Sequence, residues 1–414
     1  MLPDMPAAGS LPPMTRLLFA GASIVDGTGS DPAVADVTVE DGRIVEVGRG
    51  LDGDERIDLD GKALLPGLFD CHTHVVVSSI DTMNLIQTPF SYRFFQAARN
   101  LEATLRIGIT TVRDAGGADL GVKQAVADGL VNGPRMHISL SMLSQTGGHG
   151  DGWMPFGGFV DALLTEHPGV PDTIVDGADE MRQKVRELIR MGADVIKVAT
   201  SGGVLSPRDK PTHAHFRLEE LEVLVEEATA AGIFVMAHAQ ATPGIKNAIR
   251  AGIRSIDHGI YLDDEAIEMM LERGTWLVPT LVAPRGVIDA ADAGAAIPEA
   301  SVTKAREVVE THAASFARAV AAGVKVAMGT DSGVTPHGRN LRELALMLEG
   351  GMSPMQTIEA TTRSAAELMG LEDELGTLEP GKRADLVVVK GDPLDVSTLA
   401  DRIDAVYRDG EKVA

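Results

Sequence analysis

Two histidines stand one residue apart near the start of the chain. His72 and His74 lie in LFDCHTHV, where an apolar approach leads to the pair and valines follow it. In an extended strand, residues i and i+2 point to the same face, so both imidazoles would leave one side of the chain. That geometry suits one metal ion, although two unrelated surface or core histidines would look the same in isolation.

Four more polar residues end apolar runs elsewhere in the sequence. They are Lys197 in ADVIKVAT, His238 in FVMAHA, His258 in SIDHG and Asp331 in VAMGTD. Each one alone has a plain interpretation as a satisfied core histidine or a paired charge. If the runs are parallel strands of one barrel, however, their carboxyl ends meet on one face, where active sites are built. Together with the histidine pair, they indicate one site.

Lys197 needs its own explanation. An ordinary lysine titrates near pH ~10.4, and its ammonium group would repel a metal cation. Two alternatives are open: the ammonium pairs with a carboxylate, or the amine reacts with carbon dioxide to form a carbamate. A carbamate has two oxygens and could bridge two metal ions.

From about residue 66 to residue 374, short apolar runs alternate with helical patterns. This alternation is typical of βα units, which would position the residues named above. Candidate strands lie near residues 68–72, 111–114, 136–142, 195–199, 234–238, 255–258, 276–280 and 324–331. The pattern predicts an α/β fold with a (β/α)8 TIM barrel over residues 66–374. Its main irregularity is the connection over residues 143–176, and long connections of this kind are often functional.

Both ends of the chain have a β-like texture. Asp41-Gly42 and Asp409-Gly410 lie between short alternating runs and predict hairpins. We therefore predict a small β-sandwich domain built from residues 14–65 together with 375–414. Residues 1–13 precede the first strand pattern and are left out of the fold prediction.

The composition argues against several kinds of partner and against an intrachain disulfide. The chain has 37 Lys and Arg against 60 Asp and Glu, a net charge of -23, which disfavours nucleic acid and anionic membranes as partners. Its one cysteine cannot form an intrachain disulfide, and we find no signal peptide and no transmembrane run. We expect a cytoplasmic protein whose partners are a small-molecule substrate and further copies of the same chain.

The motifs resemble those of the amidohydrolase superfamily, in its dinuclear metal branch. The resemblance rests on PGLFDCHTH, Lys197, His238, His258 and GTDSG, and a late segment, GTLEPGKRADLVVV, is similar as well. It implies that His72, His74 and Asp331 hold one divalent ion and that His238 and His258 hold the other. It also implies that carboxylated Lys197 bridges the two ions, which we expect to be zinc, since zinc suits imidazole and carboxylate ligands.

Hydrolysis follows from such a centre. Two cations roughly 3.5–4 Å apart lower the pKa of a bridging water and supply hydroxide near neutral pH. Asp331 would take the hydroxide proton and deliver it to the leaving amine, so we predict that Asp331 is catalytic. The sequence has no GxSxG elbow, Walker motif or GxGxxG after a strand that would indicate other chemistry.

Three loop segments narrow the expected class of substrate. SQTGGHGD, KVATSGGVLSP and GTDSGVTPHGRN are similar to the Xaa-Pro dipeptidase and imidazolonepropionase-like group, which includes hydrolases of N-acyl amino acids such as those that open the ochratoxin amide. We predict a dipeptidase or carboxypeptidase-like amidohydrolase that cleaves an Xaa-Pro dipeptide or an N-acyl or N-aroyl amino acid. The candidates for binding the free carboxylate of such a substrate are His149, Arg208 and His337.

Other functions are open at this point. Phe216 occupies the position where dipeptidase relatives tend to have a tyrosine, which weakens the Xaa-Pro assignment. The rivals are a cyclic-amide hydrolase of the imidazolonepropionase type, a lactone or phosphotriester hydrolase, and a non-catalytic barrel that binds a metal or a ligand. A bridging Lys197 argues against the first, because that chemistry is commonly supported by one metal.

Overall fold

The computed structural model describes residues 15–154, 157–159, 166–206 and 208–414. Its strands are β1 (Leu17–Ile24), β2 (Ala33–Glu40), β3 (Arg43–Gly48), β4 (Glu55–Asp58), β5 (Lys62–Pro66), β6 (Leu68–Thr73), β7 (Ile109–Asp114), β8 (Arg135–Ile138), β9 (Met142–Leu143), β10 (Trp153–Met154), β11 (Gly158–Phe159), β12 (Val195–Ala199), β13 (Phe234–Ala239), β14 (Ser255–His258), β15 (Trp276–Val278), β16 (Leu386–Lys390), β17 (Ile403–Arg408) and β18 (Glu411–Lys412). Its α-helices are α1 (Thr82–Gln87), α2 (Tyr92–Arg106), α3 (Leu120–Ala127), α4 (Ala178–Arg190), α5 (Leu218–Ala230), α6 (Thr242–Ala251), α7 (Asp264–Arg273), α8 (Val282–Asp292), α9 (Glu299–Ala322), α10 (Arg342–Glu349), α11 (Pro354–Ala360) and α12 (Arg363–Met369).

Strands from both ends of the chain share one sheet. Its order is β18-β17-β16-β5-β1-β2-β3, and β4 pairs with β1. β5 and β16 are antiparallel, with Leu64 opposite Val388. Phe19 of β1 meets Tyr407 of β17 edge to face, with 4.9 Å between ring centroids. These side chains belong to an apolar cluster of their own, separate from the largest core.

Both Asp-Gly turns form the predicted hairpins. Asp41 and Gly42 have φ values of 49° and 71° and connect the antiparallel strands β2 and β3. Asp409 and Gly410 have φ values of 50° and 76° and connect β17 and β18. Positive φ at both central residues gives a turn whose twist matches that of the flanking strands, which is why this dipeptide is a strong hairpin signal.

The middle of the chain forms parallel sheets. β6, β7 and β8 make one, and β9, β12, β13, β14 and β15 make another. Every residue of β12 is buried, as expected for a parallel strand that is covered on both faces. The predicted strand over residues 136–142 is divided between β8 and β9, because Leu140 adopts a φ of 66° that interrupts the extended backbone.

The predicted strand over residues 324–331 is wrong as a regular strand. Val326 makes an isolated parallel bridge to Leu277 of β15, and the Asp331 N–H donates to the His72 carbonyl of β6 at 2.7 Å. The ladder is interrupted within this segment because the Met328 N–H donates to the Ala360 carbonyl of α11 at 2.8 Å, and the extended backbone ends at Asp331, which takes a left-handed φ of 58°. The segment nevertheless lies between β15 and β6 and brings Asp331 beside the histidine pair.

The helices bury one apolar face each. In α4, Met181, Val185 and Leu188 are buried at positions i, i+4 and i+7, which confirms the helical spacing seen in the sequence. The acidic residues Asp179 and Glu180 lie in its first turn, where they oppose the positive end of the helix dipole. In the described part of the chain, no helix has both the length and the apolar character that crossing a bilayer requires.

Replacing Phe19 tests the cluster that joins the two chain ends. Phe19→Ala should lower the free energy of unfolding by about 3–5 kcal/mol, because a fully buried aromatic ring is lost from between β1 and β17. Urea unfolding followed by circular dichroism measures this change. Val34→Ala is the control, since Val34 is 57% exposed and should change stability by less than ~0.5 kcal/mol. Equal effects of the two substitutions would contradict the packing described.

Candidate metal centre

A cavity of about 410 Å³ opens at the carboxyl ends of the parallel strands. The residues predicted from the sequence as metal ligands all line it: His72, His74, Lys197, His238, His258 and Asp331. The strands bring these groups together because parallel strands end at a common edge. One cavity therefore contains all six side chains, although they are spread over more than half of the chain.

Asp331 lies against both members of the histidine pair. Its Oδ1 is 3.4 Å from His72 Nε2 and 3.2 Å from His74 Nε2. Ligand atoms of His72, His258 and Asp331 all lie within 4.8 Å of one another, which is close enough for one ion to reach them. The ring centroid of His238 is 4.6 Å from that of His258, so the fourth imidazole adjoins this group.

The histidine pair is oriented by hydrogen bonds on the side away from the cavity. His72 Nδ1 lies 2.7 Å from Asp257 Oδ2, and His74 Nδ1 lies 2.8 Å from the Gly116 carbonyl oxygen. Since a carboxylate and a carbonyl only accept, each Nδ1 carries the proton and donates. The Nε2 lone pairs of both rings are left for a metal ion.

The other two imidazoles are held in the same manner. His258 Nδ1 lies 2.7 Å from Thr280 Oγ1. His238 is turned the other way, with Nε2 3.2 Å from the Gly202 carbonyl oxygen, so Nε2 donates and Nδ1 is left over. Each of the four imidazoles therefore has one ring nitrogen in a hydrogen bond with the protein and one that makes no hydrogen bond among the described residues.

Three residues at this edge adopt a left-handed backbone. His258, Thr280 and Asp331 have φ values of 74°, 53° and 58°. Such values are rare for residues with a Cβ and persist only where the surroundings impose them. Gly329 allows the close approach, because a Cβ there would lie 3.0 Å from His72 Cβ and 2.4 Å from Val278.

A buried charge cluster lies beneath the histidines. Asp257 Oδ2 is 3.3 Å from Arg113 Nη2 and 3.6 Å from Lys197 Nζ. Arg113 also donates from Nε to the Cys71 carbonyl at 2.6 Å. Burial by itself raises the pKa of Asp257, but Arg113, Lys197 and His72 together hold the pKa of this carboxyl well below its usual range.

Sequence reasoning missed Asp257 and Arg113. A signal was present, because both are charged residues inside apolar strand segments, in SIDHG and TTVRDAGG. A charge buried in a strand requires a partner, and here each of the two is the other's partner. The same reasoning applies to Asp70, which accepts hydrogen bonds from Thr330 Oγ1 at 2.6 Å and Asn340 Nδ2 at 2.8 Å.

Lys197 is buried, and its Nζ has no hydrogen-bond partner among the described residues. Burial lowers the pKa of Lys197 to about 8, although Asp257 and Asp331 favour its charged form. An amine that loses its proton this readily is a nucleophile near neutral pH. An unpartnered buried nitrogen fits a lysine that is modified or bound when the site is complete.

The structure separates the three predicted substrate-binding residues. His149 lines the cavity, and its ring stacks on His238 with 4.1 Å between centroids. Arg208 is exposed and lies over the Trp153 ring, outside the cavity lining. His337 lies outside the lining as well, with Nε2 3.2 Å from the His74 carbonyl oxygen.

The rest of the cavity wall is mostly apolar. It includes Val77, Ile80, Leu140, Met142, Val170, Val204, Leu205, Ile260, Val287 and Val334. His312, to which the sequence assigned no role, also lines the cavity, and its Nε2 lies 2.8 Å from the His258 carbonyl oxygen. Beside the polar cluster there is space for an uncharged, apolar part of a ligand.

Comparison with known proteins gives consistent matches. The sequence matches the model of the amidohydrolase family over residues 63–413. It is 37% identical over 346 residues to ochratoxinase of Aspergillus niger, covering 80% of this chain and 71% of that protein. It is 28% identical over 392 residues to imidazolonepropionase of Rhizorhabdus wittichii, covering 85% of this chain and 87% of that one.

Solved structures agree with these sequence matches. The crystal structure of Aspergillus niger ochratoxinase superposes with a TM-score of 0.84 at 32% identity, covering 96% of this chain and 95% of that one. A Xaa-Pro dipeptidase with methionine bound in its active site superposes with a TM-score of 0.86 at 31% identity, covering 96% and 99%. These relatives imply a TIM barrel with an added β domain.

Asp257→Asn tests whether the charge cluster supports a metal site. The substitution removes the negative charge shared by His72, Arg113 and Lys197, and metal affinity should fall by about 10–100-fold. Titration of the metal-depleted protein with zinc, followed by calorimetry, measures the affinity. Asp264→Asn, at an exposed residue of α7, should leave it unchanged. Unchanged affinity in Asp257→Asn would show that the cluster is independent of metal binding.

Proposed function

Because the chain belongs to the amidohydrolase family, we propose that it is a dinuclear metal-dependent hydrolase that cleaves the amide bond of an N-acyl or N-aroyl amino acid, or of a dipeptide. The observation that carries this proposal is the convergence on one cavity of four imidazoles, the Asp331 carboxylate and the Lys197 amine, which makes no hydrogen bond among the described residues and lies 3.6 Å from Asp257. The chain is a hydrolase that acts on amide bonds; the two-metal centre and the substrate class are the proposal.

The donor set fits two divalent ions. His72, His74 and Asp331 would hold one ion, and His238 and His258 the other. The Lys197 amine would attack carbon dioxide and lose a proton, and the resulting carbamate would supply the anionic oxygen ligands that an ammonium group cannot. When bound, the ions supply Lewis acidity and a water of lowered pKa. Imidazole and carboxylate donors suit zinc, and a bridging Lys197 favours two ions over the single ion of cyclic-amide hydrolases.

Asp331 is proposed to carry the proton. Burial opposes its ionisation, yet His72 and His74 hold the pKa of the Asp331 carboxyl well below its usual range, so Asp331 is an ionised carboxylate, the form that has a site for the proton. The proton of the attacking water would move to Asp331 and then to the amide nitrogen as the C–N bond breaks. An amine leaves readily only after this protonation.

The cavity wall suits a substrate with one charged end and one apolar end. His149 is the predicted residue that reaches the cavity, and we assign it to the free carboxylate beside the scissile amide. The apolar wall would contact the acyl group or the amino-acid side chain. Both features fit an N-aroyl amino acid, in keeping with the relative named ochratoxinase.

The architecture completes the proposal. Residues 66–374 would form a closed (β/α)8 barrel, in which the segment over residues 324–331 occupies the eighth strand position between β15 and β6. Residues 14–65 and 375–414 would form the second domain, in keeping with the sheet that both chain ends share. The bridges of the eighth segment and the match to barrel structures support this arrangement.

A substrate panel tests the function. Purified protein supplied with zinc should hydrolyse N-benzoyl-L-phenylalanine faster than a phosphotriester or a lactone of similar size, because His149 and the apolar wall match its two ends. Release of phenylalanine is measured by liquid chromatography. Preferred turnover of the phosphotriester or lactone, or no turnover of any amide in the panel, would overturn the proposal.

Asp331→Asn separates catalysis from folding. An amide side chain cannot take the proton, so kcat should fall by at least ~100-fold, while His72 and His74 still hold their positions. Stopped-time assays with N-benzoyl-L-phenylalanine measure the rate, and the melting temperature reports folding. Near wild-type kcat in the variant would remove Asp331 from the proton path.

A further inference from the structure

A second buried carboxylate lies behind His149. Asp209, in the loop after β12, is buried and accepts a hydrogen bond at Oδ1 from Ser206 Oγ. His149 Nδ1 is 2.9 Å from Ser206 Oγ and 3.5 Å from Asp209 Oδ2. The other described neighbour of Asp209 Oδ2 is His215 Nε2, at 4.0 Å. Asp209 has no role predicted from its sequence pattern, and it belongs to neither the proposed metal centre nor the proposed proton path.

The direction of these hydrogen bonds fixes the His149 ring. A carboxylate cannot donate, so the Ser206 hydroxyl gives its proton to Asp209 and accepts from His149 Nδ1–H. The chain therefore runs from His149 through Ser206 to Asp209. It leaves Nε2 as the His149 nitrogen without a protein partner among the described residues. Because the acceptor at its end is charged, both bonds of the chain are stronger than neutral ones.

Lys304 of α9 holds the loop that carries Asp209. Its Nζ donates to the carbonyl oxygens of Gly203 at 2.8 Å, Ser206 at 2.6 Å and Asp209 at 3.2 Å. The same Nζ lies 3.8 Å from Asp209 Oδ1, so it also offsets the charge of this carboxylate. A negative charge can stay buried here because a cation from another element faces it.

Packing confines the ring on both faces. One face stacks on His238, with an interplanar angle of 16°. The other face lies on Gly203, where a Cβ would come within 2.3 Å of His149 Cε1. A side chain at residue 203 would displace the imidazole. The glycine therefore allows the ring, which lines the cavity, to lie flat against the loop.

We propose that Asp209 is a positioning residue for substrate recognition: it acts through Ser206 to hold His149 as an imidazolium whose Nε2–H donates to the free carboxylate of the substrate. This inference rests on the proposed function, because it takes His149 as the carboxylate contact. It assigns a role in substrate specificity to residues of the loop after β12 that do not touch the reacting atoms.

Two matched substrates test the inference. N-benzoyl-L-phenylalanine has the free carboxylate, and N-benzoyl-L-phenylalaninamide has a neutral carboxamide in its place. In Asp209→Asn, KM for the acid should rise at least about tenfold, while kcat stays within about threefold and KM for the carboxamide changes less than about twofold. If the enzyme does not hydrolyse the carboxamide, its inhibition constant is measured with the acid as substrate and compared in place of KM. Asp404→Asn, paired with lysines in the terminal sheet, is the control and should change none of these values.

A double-mutant cycle separates positioning from a general disturbance of the loop. In a His149→Ala background, Asp209→Asn should raise KM for the acid by less than about threefold, because the ring that it positions is gone. Ser206→Ala breaks the middle of the chain and keeps the pair of Asp209 and Lys304. Ser206→Ala should also raise KM for the acid. It replaces Asp209→Asn as the test variant if Asp209→Asn folds poorly. Metal content should be unchanged in both variants.

The outcomes distinguish the two proposals. If the wild-type protein hydrolyses no N-acyl amino acid, the proposed function fails and this inference fails with it. If it hydrolyses the acid, but Asp209→Asn leaves the preference for acid over carboxamide unchanged, only the inference is overturned. Equal increases in KM for acid and carboxamide would show that Asp209 stabilises the loop without serving carboxylate recognition.

Discussion

The buried carboxylate of Asp257 is the contact on which the site depends. It belongs to β14 and touches His72 of β6, Arg113 of β7 and Lys197 of β12. One side chain thus links four of the parallel strands directly beneath the cavity. Leaving such a charge without partners would be costly, so arrangements of the strands that keep Arg113 and His72 away from Asp257 are disfavoured.

Hydrogen bonds from several segments orient the imidazoles of the site. The imidazoles are held from behind by a carboxylate, two backbone carbonyls and a hydroxyl, each on a different segment of the chain. The strained backbone at His258, Thr280 and Asp331 is held at the same edge. Packing of the strands and these hydrogen bonds therefore hold the side chains of the candidate site in defined directions.

The sequence predicted the centre better than its surroundings. That six side chains meet in one cavity could be predicted because parallel strands end at a common edge, whereas their roles as metal ligands were implied by the family resemblance; they are His72, His74, Lys197, His238, His258 and Asp331. Arg208 and His337 could not be placed, because a residue in a long loop has no periodicity to fix its direction. The contacts of Asp257 with Arg113 and Lys197 join residues far apart in sequence, and only the packed structure shows which charges meet.

The same difference between local and long-range signals separates the turns from the segment over residues 324–331. Asp-Gly turns are local, and both hairpins formed where the sequence predicted them. The segment over residues 324–331 read as a strand from its apolar pattern, but the left-handed backbone at Asp331 is imposed by contacts with β6 rather than by its neighbours in sequence. The local sequence pattern therefore predicts the order of the strands and helices, whereas long-range contacts determine the backbone geometry at their ends.

The central claim is that one cavity holds two metal ions through these side chains. The direct measurement is metal content by mass spectrometry, on protein purified without chelators in the presence of bicarbonate. The account predicts about two divalent ions per chain and about one or none in Lys197→Ala. One ion per chain in the wild-type protein, unchanged by Lys197→Ala, would contradict it.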